Sequence, residues 1–295
     1  MKNKFTVYSR SSVITPEIGK FPGGEIRVKI NEPVYEEARI EAMLLNSDDI
    51  MTLVMLTDAL RELEVEKIRL TMPYIPYARQ DRVCNPGEAL SIRAFADIIN
   101  SLNFASVVVF DPHSEVSSAL IKRSIVTPRS QLMRQHEAVY NWICKGGWDT
   151  NPIYLVSPDA GSVKKSYEIA KVFPQFTGII FAEKVRDVSS GNIVKTIVHN
   201  VPADINKAKL LICDDICDGG RTFIELANWF IDNHYTPQEI NLYVTHGIFS
   251  KGMDVLLKDL DADPSDPSWT GRGPKTGKLN HVWSTVNFLE YKNDK

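Results

Sequence analysis

The feature of this sequence that most constrains its fold is the alternation of short apolar runs with longer segments of helical periodicity. The short runs are nearly continuous in Val, Ile and Leu, as in strands that are buried on both faces of a parallel sheet. The predicted strands are residues 67–72, 106–110, 153–156, 177–181, 209–213 and 240–244. The predicted helices are residues 48–64, 88–102, 162–172 and 221–233. Alternation of this kind predicts strand–helix–strand units, and therefore an α/β fold with doubly wound parallel sheets.

Chain length predicts two domains. The chain has 295 residues, whereas one domain typically has about 100–200, and each half contains its own strands and helices. A connector that contains two adjacent glycines, Gly146 and Gly147, is predicted over residues 142–151. We therefore predict an N-terminal domain over residues 1–146 and a C-terminal domain over residues 147–295. Residues 259–278, rich in Asp, Pro, Gly and Lys, are predicted to form a loop or an insertion.

Charge and composition exclude several classes of function. The 34 basic residues nearly balance the 37 acidic ones, giving a net charge of −3, so no nucleic-acid partner is expected. No apolar run approaches the roughly 20 residues that span a bilayer, and no leader is predicted, so we expect a cytoplasmic protein without a membrane partner.

Only Cys213 and Cys217 of the four cysteines lie close in sequence. With no companion cluster of Cys and His, they are weak evidence for zinc.

The strongest chemical feature is a set of polar residues directly after predicted strands, because open parallel sheets bind ligands beyond the carboxyl ends of their strands. Asp214 and Asp215 follow one strand, and Asp218-Gly-Gly-Arg-Thr222 then opens a helix. A glycine turn at a helix N-terminus exposes backbone N–H groups to a phosphate. The acids suit sugar hydroxyls or a phosphate-bridging metal. An ordinary acidic loop would explain these residues equally well.

Two further strand ends carry acids. Asp159 precedes a Gly/Ser turn and a helix, which suits Mg²⁺ on the carboxylate and a pyrophosphate on the amides of residues 161–163. Taken alone, a simple helix cap at Asp159 or Ser162 is the better explanation. His113 follows a strand with Asp111 two residues before it. A lone histidine is usually structural, but this position favours a metal or nucleotide role.

A fourth strand end is rich in Arg and Tyr: Tyr74-Ile-Pro-Tyr-Ala-Arg-Gln-Asp-Arg82. Its guanidinium groups suit phosphates, and its aromatic rings suit a nucleotide base. A solvated basic loop is the alternative.

Taken in order, these segments resemble the ribose-phosphate pyrophosphokinase (PRPP synthetase) family over residues 21–249. Tyr77-Ala-Arg-Gln-Asp-Arg82 is similar to the family's adenine-nucleotide segment almost residue for residue. The other matching segments are Asp111-Pro-His113, Ser157-Pro-Asp-Ala-Gly161 (the pyrophosphate loop), Glu183-Lys-Val-Arg186 (the mobile catalytic loop), Asp214-Asp-Ile-Cys-Asp218 (the ribose-phosphate loop) and Thr245-His-Gly247.

The resemblance implies domains of phosphoribosyltransferase type and a homo-oligomer, dimer or hexamer. It implies Mg²⁺-dependent transfer of the pyrophosphoryl group of ATP to the anomeric hydroxyl of ribose 5-phosphate, giving PRPP and AMP. Lys184 and Arg186 would close over the transferring phosphates, with His113 as a further catalytic candidate. His113 and Asp159 would bind Mg²⁺, with Asp111 nearby.

The resemblance also implies where both substrates bind. The implied nucleotide-binding residues are Arg79, Gln80 and Asp81, together with Phe21 and Glu25 from a neighbouring subunit. The implied ribose-phosphate residues are Asp214, Asp215, Asp218, Gly219, Gly220, Arg221 and Thr222. The acids would hold the ribose hydroxyls, and residues 219–222 would receive the 5-phosphate.

Departures from the family pattern keep other functions open. Gly219 stands where the family has a hydroxyl residue, and Arg221 adds a cation, which would suit the diphosphate of ADP-ribose and a role in NAD salvage. A solvated helix-start residue explains Arg221 as well. A non-catalytic regulatory paralogue is a further alternative, disfavoured by the retained Lys184 and Arg186. A phosphoribosyltransferase is disfavoured by the ATP-type segment at residues 77–82.

Overall fold

The computed structural model describes residues 2–144, 151–186, 193–257 and 279–291, with the backbone alone over residues 184–186 and 193–195. The chain divides into two compact units. The first comprises Met1–Pro128 together with Phe288–Lys295, and the second comprises Arg129–Asn287.

The first unit is built on a six-stranded sheet. Its strands are β1 (Phe5–Ser9), β2 (Ser12–Ile14), β5 (Glu37–Ala42), β6 (Lys67–Thr71), β7 (Ser106–Phe110) and β8 (Ser124–Thr127), in the order β2-β1-β5-β6-β7-β8. Strands β5 to β8 are parallel, whereas β1 is antiparallel to both β2 and β5. Strands β3 (Glu17–Lys20) and β4 (Ile26–Lys29) form a separate antiparallel hairpin.

Three helices accompany this sheet: α1 (Ser47–Glu62), α2 (Ser91–Ser101) and α3 (Glu115–Leu120). Helix α1 begins at a capping box, in which the Asn46 side chain accepts from Asp49 N and the Asp49 carboxylate accepts from Asn46 N. Leu53, Leu56 and Leu60 recur at helical spacing along α1 and are fully buried in the core of this unit. The helix therefore forms because local capping and amphipathic burial agree.

The second unit is built on a second six-stranded sheet. Its strands are β9 (Ile153–Ser157), β10 (Phe176–Arg186), β11 (Ile193–His199), β12 (Lys209–Cys217), β13 (Glu239–Gly247) and β14 (His281–Asn287), in the order β11-β10-β9-β12-β13-β14. All neighbouring pairs are parallel except β10 and β11. The helices are α4 (Arg129–Gln135), α5 (Glu137–Cys144), α6 (Val163–Val172) and α7 (Arg221–Asp232).

The second sheet is buried on both faces. Ile212 packs on one face with Leu226 and Phe230 of α7. Leu211 packs on the other with residues of α4, α5 and α6. Two-sided burial explains why β12 and β13 are nearly continuous apolar runs.

The α/β fold is confirmed, with antiparallel strands added at the sheet edges. The six predicted strands and four predicted helices are all present.

The predicted boundary between residues 146 and 147 lies outside the described residues. The described residues nevertheless correct the domain limits: α4 and α5 belong to the second unit because Met133, Val139 and Ile143 pack in its core. Residues 288–295 belong to the first unit.

Candidate functional site

Two acidic strand ends of the second unit lie side by side. Strands β9 and β12 are parallel neighbours, with Val156 opposite Ile212, so the residues that follow them emerge at one edge of the sheet. The Ser162 hydroxyl lies 3.1 Å from Oδ1 of Asp159 and 3.1 Å from Oδ1 of Asp214. This hydroxyl connects the predicted pyrophosphate loop to the predicted ribose-phosphate loop.

Asp159 has the helix-cap geometry that the sequence also allowed. Its Oδ1 accepts a hydrogen bond from Ser162 N at 3.1 Å, at the start of a short 3-10 turn that leads into α6. Capping and ligand binding are compatible here, since a carboxylate has several acceptor sites and this cap uses Oδ1.

Asp214 has a strongly shifted pKa. Burial, followed by the negative charge of Asp215, raises the pKa of Asp214 to about 7, while the positive charge of Arg129 opposes this shift. Oδ1 of Asp214 also accepts from Asp215 N at 2.9 Å. Asp215 and Arg129 are themselves 8% and 3% exposed. The site therefore combines one buried acid, Asp215, and the half-buried Asp214 with one buried cation, as ligand-binding clefts often do.

The glycine turn after β12 has the predicted form. Gly220 has φ +76°, a conformation that favours glycine, and α7 begins at the next residue. A Cβ atom at Gly220 would collide with the side chain of the buried Leu256. Arg221 is 76% exposed, and its Nε lies 2.5 Å from Glu225 Oε1, one helical turn along α7. The first turn of α7 thus presents backbone N–H groups without an intrahelical partner.

The Thr-His-Gly segment lies beside this loop. Ile216 pairs with His246, and Cys217 pairs with Gly247. The side chains of Thr245 and His246 are buried, so this segment belongs to the protein interior beside the ribose-phosphate loop.

Lys184 and Arg186 occupy the end of strand β10. Their backbone pairs with β11, with Lys184 opposite Thr196 and Arg186 opposite Ile193. The segment predicted to be the mobile catalytic loop, residues 183–186, is instead strand as far as Arg186. Residues 187–192, which follow it, lie outside the described residues. The roles of the two basic side chains stay predictions.

The predicted nucleotide segment forms a tight turn after β6 in the first unit. Tyr77 has φ +63°, and Gln80 N donates to its carbonyl oxygen at 3.1 Å. The Gln80 side chain accepts a hydrogen bond from Ser91, the first residue of α2. Arg79 is exposed and Asp81 is half-buried. The turn fixes Gln80 and leaves the guanidinium of Arg79 accessible.

Phe21 and Glu25 lie at the tip of the β3–β4 hairpin. Phe21 N donates to Glu25 O at 2.9 Å, and Gly24 N donates to Phe21 O at 2.8 Å. The Phe21 ring is 51% exposed. The tip therefore presents an aromatic ring and a carboxylate to its surroundings.

Asp111 and His113 follow β7. Asp111 is buried, with φ +36°, and its N–H donates to Thr127 O at 2.9 Å. His113 is exposed. Only the imidazole of this pair is thus open to a ligand.

The carboxylates fit a magnesium ion shared with substrate, but they do not form a metal cage. Within the described ranges, no group of three or more His, Cys, Asp or Glu side chains is arranged to hold a metal ion. Mg²⁺ commonly binds one or two carboxylates and completes its shell with water and substrate phosphates. Asp159 provides such a carboxylate, whereas the nitrogen of His113 is a less suitable ligand.

Among the described residues, the cysteines form no disulfide and belong to no cluster arranged to hold a metal ion. Cys213 and Cys217 are buried, and they pack in separate core clusters of the second unit. Burial, with the negative charges of Asp214 and Asp218, raises the pKa of Cys217 to about 12. The weak indication of zinc from their spacing finds no support in the described structure.

Two side chains of the site were not assigned a role from the sequence. Arg129 begins α4, and nothing in its sequence context indicates a buried guanidinium near Asp214. Ser162 was considered as a cap and for its backbone N–H in the pyrophosphate loop, but not for its hydroxyl, which contacts both acids.

No helix in the described part of the chain has the length and apolarity needed to cross a membrane.

Comparison with known proteins agrees with these features. Residues 2–102 match the model of the N-terminal domain of ribose phosphate pyrophosphokinase, and residues 131–264 match that of the phosphoribosyl transferase domain. A ribose-phosphate pyrophosphokinase from Aquifex aeolicus is 30% identical over 236 residues, covering 79% of this chain and 71% of the relative. One from Pyrococcus abyssi is 29% identical over 246 residues, covering 82% of this chain and 79% of the relative.

The fold has a counterpart among solved structures. The phosphoribosylpyrophosphate synthetase from Mycobacterium smegmatis aligns with a TM-score of 0.65 and 21% identity, covering 80% of this chain and 74% of that one. With two family models matched in order along the chain and relatives matched over most of their length, this chain belongs to the ribose-phosphate pyrophosphokinase family and is a diphosphotransferase enzyme.

Proposed function

We propose that this enzyme transfers the pyrophosphoryl group of Mg·ATP to the anomeric hydroxyl of ribose 5-phosphate, giving PRPP and AMP. The observation that carries the proposal is the arrangement after β12. There, two adjacent acids are followed by a glycine turn that opens α7, in a chain whose family is named for this reaction.

The acceptor would bind at this strand end. Asp214 and Asp215 supply carboxylate oxygens that accept hydrogen bonds from ribose hydroxyls. The backbone N–H groups of residues 219–222 face the 5-phosphate, which gains from the positive end of the α7 dipole. Asp218 lies between the two sets and would complete the sugar contacts.

The donor would be held by a second set of residues. Arg79 offers an accessible guanidinium for the ATP phosphates, and Gln80 and Asp81 flank it. In a homo-oligomer, Phe21 and Glu25 at the tip of the β3–β4 hairpin would reach the adenine of a neighbouring subunit. The exposure of the Phe21 ring supports this role.

The chemistry requires alignment more than a strong base. The anomeric oxygen attacks the β-phosphorus of ATP and forms a new O–P bond, and the hydroxyl proton is released to solvent. The bond from that phosphorus to the oxygen shared with the α-phosphate breaks, and AMP leaves. Charge builds up on the transferring oxygens, and Lys184 and Arg186 would neutralise it from β10. Cys217, with its pKa of about 12, takes no part as a nucleophile.

Magnesium would be held through the Asp159 carboxylate, and the resemblance assigns His113, whose imidazole is exposed, to magnesium as well. Asp111 is buried and would lie nearby without binding the ion directly. When bound, Mg²⁺ neutralises phosphate charge and orients the pyrophosphoryl group. The Ser162 hydroxyl keeps the Asp159 carboxylate in place through the contact at 3.1 Å.

A second acceptor, ADP-ribose, is favoured by one observation. The Arg221 side chain, at the first residue of α7, is 76% exposed although it pairs with Glu225, so the outer side of the phosphate loop carries an accessible positive charge. The same transfer to ADP-ribose would place the enzyme in NAD salvage. Under that alternative, Arg221→Ala lowers kcat/KM for ADP-ribose at least tenfold more than for ribose 5-phosphate, whereas equal losses would contradict it.

The fate of a labelled phosphate tests the proposal. With ATP labelled at the β-phosphorus, the label should appear in a diphosphorylated sugar and none should remain in AMP. Label recovered in ADP would contradict pyrophosphoryl transfer. No AMP with either acceptor would favour the non-catalytic paralogue, and failure to bind ATP would favour a phosphoribosyltransferase.

A further inference from the structure

The loop that follows β13 is fixed to the ribose-phosphate loop. Ile248 N and Phe249 N both donate to Cys217 O, at 2.9 and 3.1 Å, and Ser250 N donates to Asp218 O at 3.2 Å. The Phe249 side chain is 1% exposed and covers the face of Gly247, where a Cβ atom would collide with the ring. These bonds hold residues 248–250 in a constant position relative to Asp218, so the next residue, Lys251, is fixed there too.

The Lys251 side chain lies along Gly219. Its Cε, Cδ and Cγ atoms are 3.6, 3.7 and 4.0 Å from the position that a Cβ atom of Gly219 would occupy. The lysine stem thus occupies the side of the glycine turn that a residue with a side chain would fill. The ammonium group is one bond beyond Cε, and it therefore stays close to the first amides of the turn.

The positive charge of Lys251 has no ion-pair partner among the described residues. The side chain is also exposed, so its ammonium group is accessible to a ligand. Arg221, the other cation at this turn, pairs with Glu225 at 2.5 Å. A phosphate at the turn would therefore meet one lysine that is available and one arginine that is already paired.

We propose that the Lys251 ammonium binds the 5-phosphate of the acceptor, together with the backbone N–H groups of residues 219–222. The inference rests on the proposed function, and it assigns a residue outside the motifs that indicated that function. Lys251 would contact the phosphate attached directly to the ribose, which ribose 5-phosphate and ADP-ribose share. A charge-assisted hydrogen bond of this kind has an effect of about tenfold on affinity or more.

Binding of the acceptor, measured by calorimetry on the full-length protein, tests this assignment independently of turnover. Lys251→Met keeps the apolar stem and removes the charge, so we expect the Kd for ribose 5-phosphate to rise about tenfold. Lys251→Arg should keep the Kd within about threefold of wild type, because it restores a cation. Lys171→Met, at an exposed position near the end of α6, is the matched control and should leave the Kd unchanged.

The possible failures are distinguishable. An unchanged Kd in Lys251→Met, or an equal rise in Lys171→Met, would overturn the assignment even if the wild-type enzyme produces AMP. Wild-type protein that binds no ribose 5-phosphate would also overturn it. Absence of AMP formation by wild-type protein that binds ribose 5-phosphate, with the Kd raised in Lys251→Met, would overturn the proposed reaction and uphold the role of Lys251.

Discussion

Oγ of Ser162 lies 3.1 Å from Oδ1 of Asp214, joining the segment after β9 to the segment after β12. The same hydroxyl lies 3.1 Å from Asp159, so one hydroxyl proton is shared between two carboxylates. Ser162 therefore positions both acids, one assigned to the metal and the other to the sugar.

Ser162→Ala should weaken acceptor binding, because it removes the donor that orients Asp214 and Asp159. We expect the Kd for ribose 5-phosphate to rise about fivefold to tenfold, measured by calorimetry. Ser166→Ala is the control: its hydroxyl is also buried, in the first turn of α6, and donates to Ser162 O at 2.9 Å without contacting either acid. Equal effects of the two variants on the Kd would show that Ser162 contributes only to the stability of the helix.

Ionisation of the Asp214 carboxyl group should make the ligand-free protein less stable as the pH rises. Its folded pKa, about 7, lies above the ordinary value of 3.8, so between these values the folded state binds more protons than the unfolded state. The free energy of unfolding therefore falls as the pH rises from about 4 to about 7, and this contribution is constant above about 7. Between about pH 4 and pH 7, this loss in the free energy of unfolding is at most about 4 kcal/mol.

Asp214→Asn tests that dependence, since an amide keeps an acceptor oxygen and does not titrate. Chemical denaturation without Mg²⁺ at several pH values should show a smaller decline in stability between about pH 4 and pH 7 than in wild type. The stability difference between the two proteins should be largest near neutral pH, in favour of the variant. Parallel pH profiles would show that Asp214 keeps an ordinary pKa.

Gly220→Ala should destabilise the second unit. The φ of +76° is unfavourable for alanine, and its Cβ atom would collide with Leu256. We expect a loss of about 1–3 kcal/mol, seen as a lower Tm, with weaker binding of ribose 5-phosphate. Gly23→Ala, where no atom lies within 4 Å of the added Cβ, is the control and should leave the Tm nearly unchanged. A Tm for Gly220→Ala that equals that of the control would contradict the strained turn.

Lys184→Ala should lower kcat with little change in the Kd for ATP, because the lysine is assigned to the charge that develops during transfer. We expect a loss of about 100-fold or more in kcat, measured by AMP release at saturating substrates. Lys171→Ala serves as the control. If ATP binding and turnover fell by the same factor, Lys184 would be a ground-state binding residue.

The strands and acidic strand ends could be predicted because each depends on local sequence. A buried parallel strand is a continuous apolar run, and the acids of β12 follow such a run directly. Strands β1, β2 and β5 escaped prediction because one face of each is partly exposed, so their sequences lack that continuous apolar pattern. Residues 129–144 were placed in the first domain because the local sequence does not specify which sheet a segment will cover.

The parts of the site that were missed depend on contacts between segments distant in sequence. The burial of Arg129 near Asp214, and the path of Lys251 along Gly219, are set by packing after the sheet has formed. Ser162 is only three residues from Asp159, so its cap could be anticipated. Its contact with Asp214, 52 residues away, follows from the pairing of β9 with β12.

AMP release from Mg·ATP, measured in parallel with ribose 5-phosphate, with ADP-ribose and without acceptor, tests the central claim most directly. The account predicts rapid formation of AMP that depends on ribose 5-phosphate, with one PRPP formed for each AMP. AMP release that depends on ADP-ribose and not on ribose 5-phosphate would contradict the proposed acceptor and establish the alternative. No acceptor-dependent AMP in either reaction would contradict the proposed transfer itself.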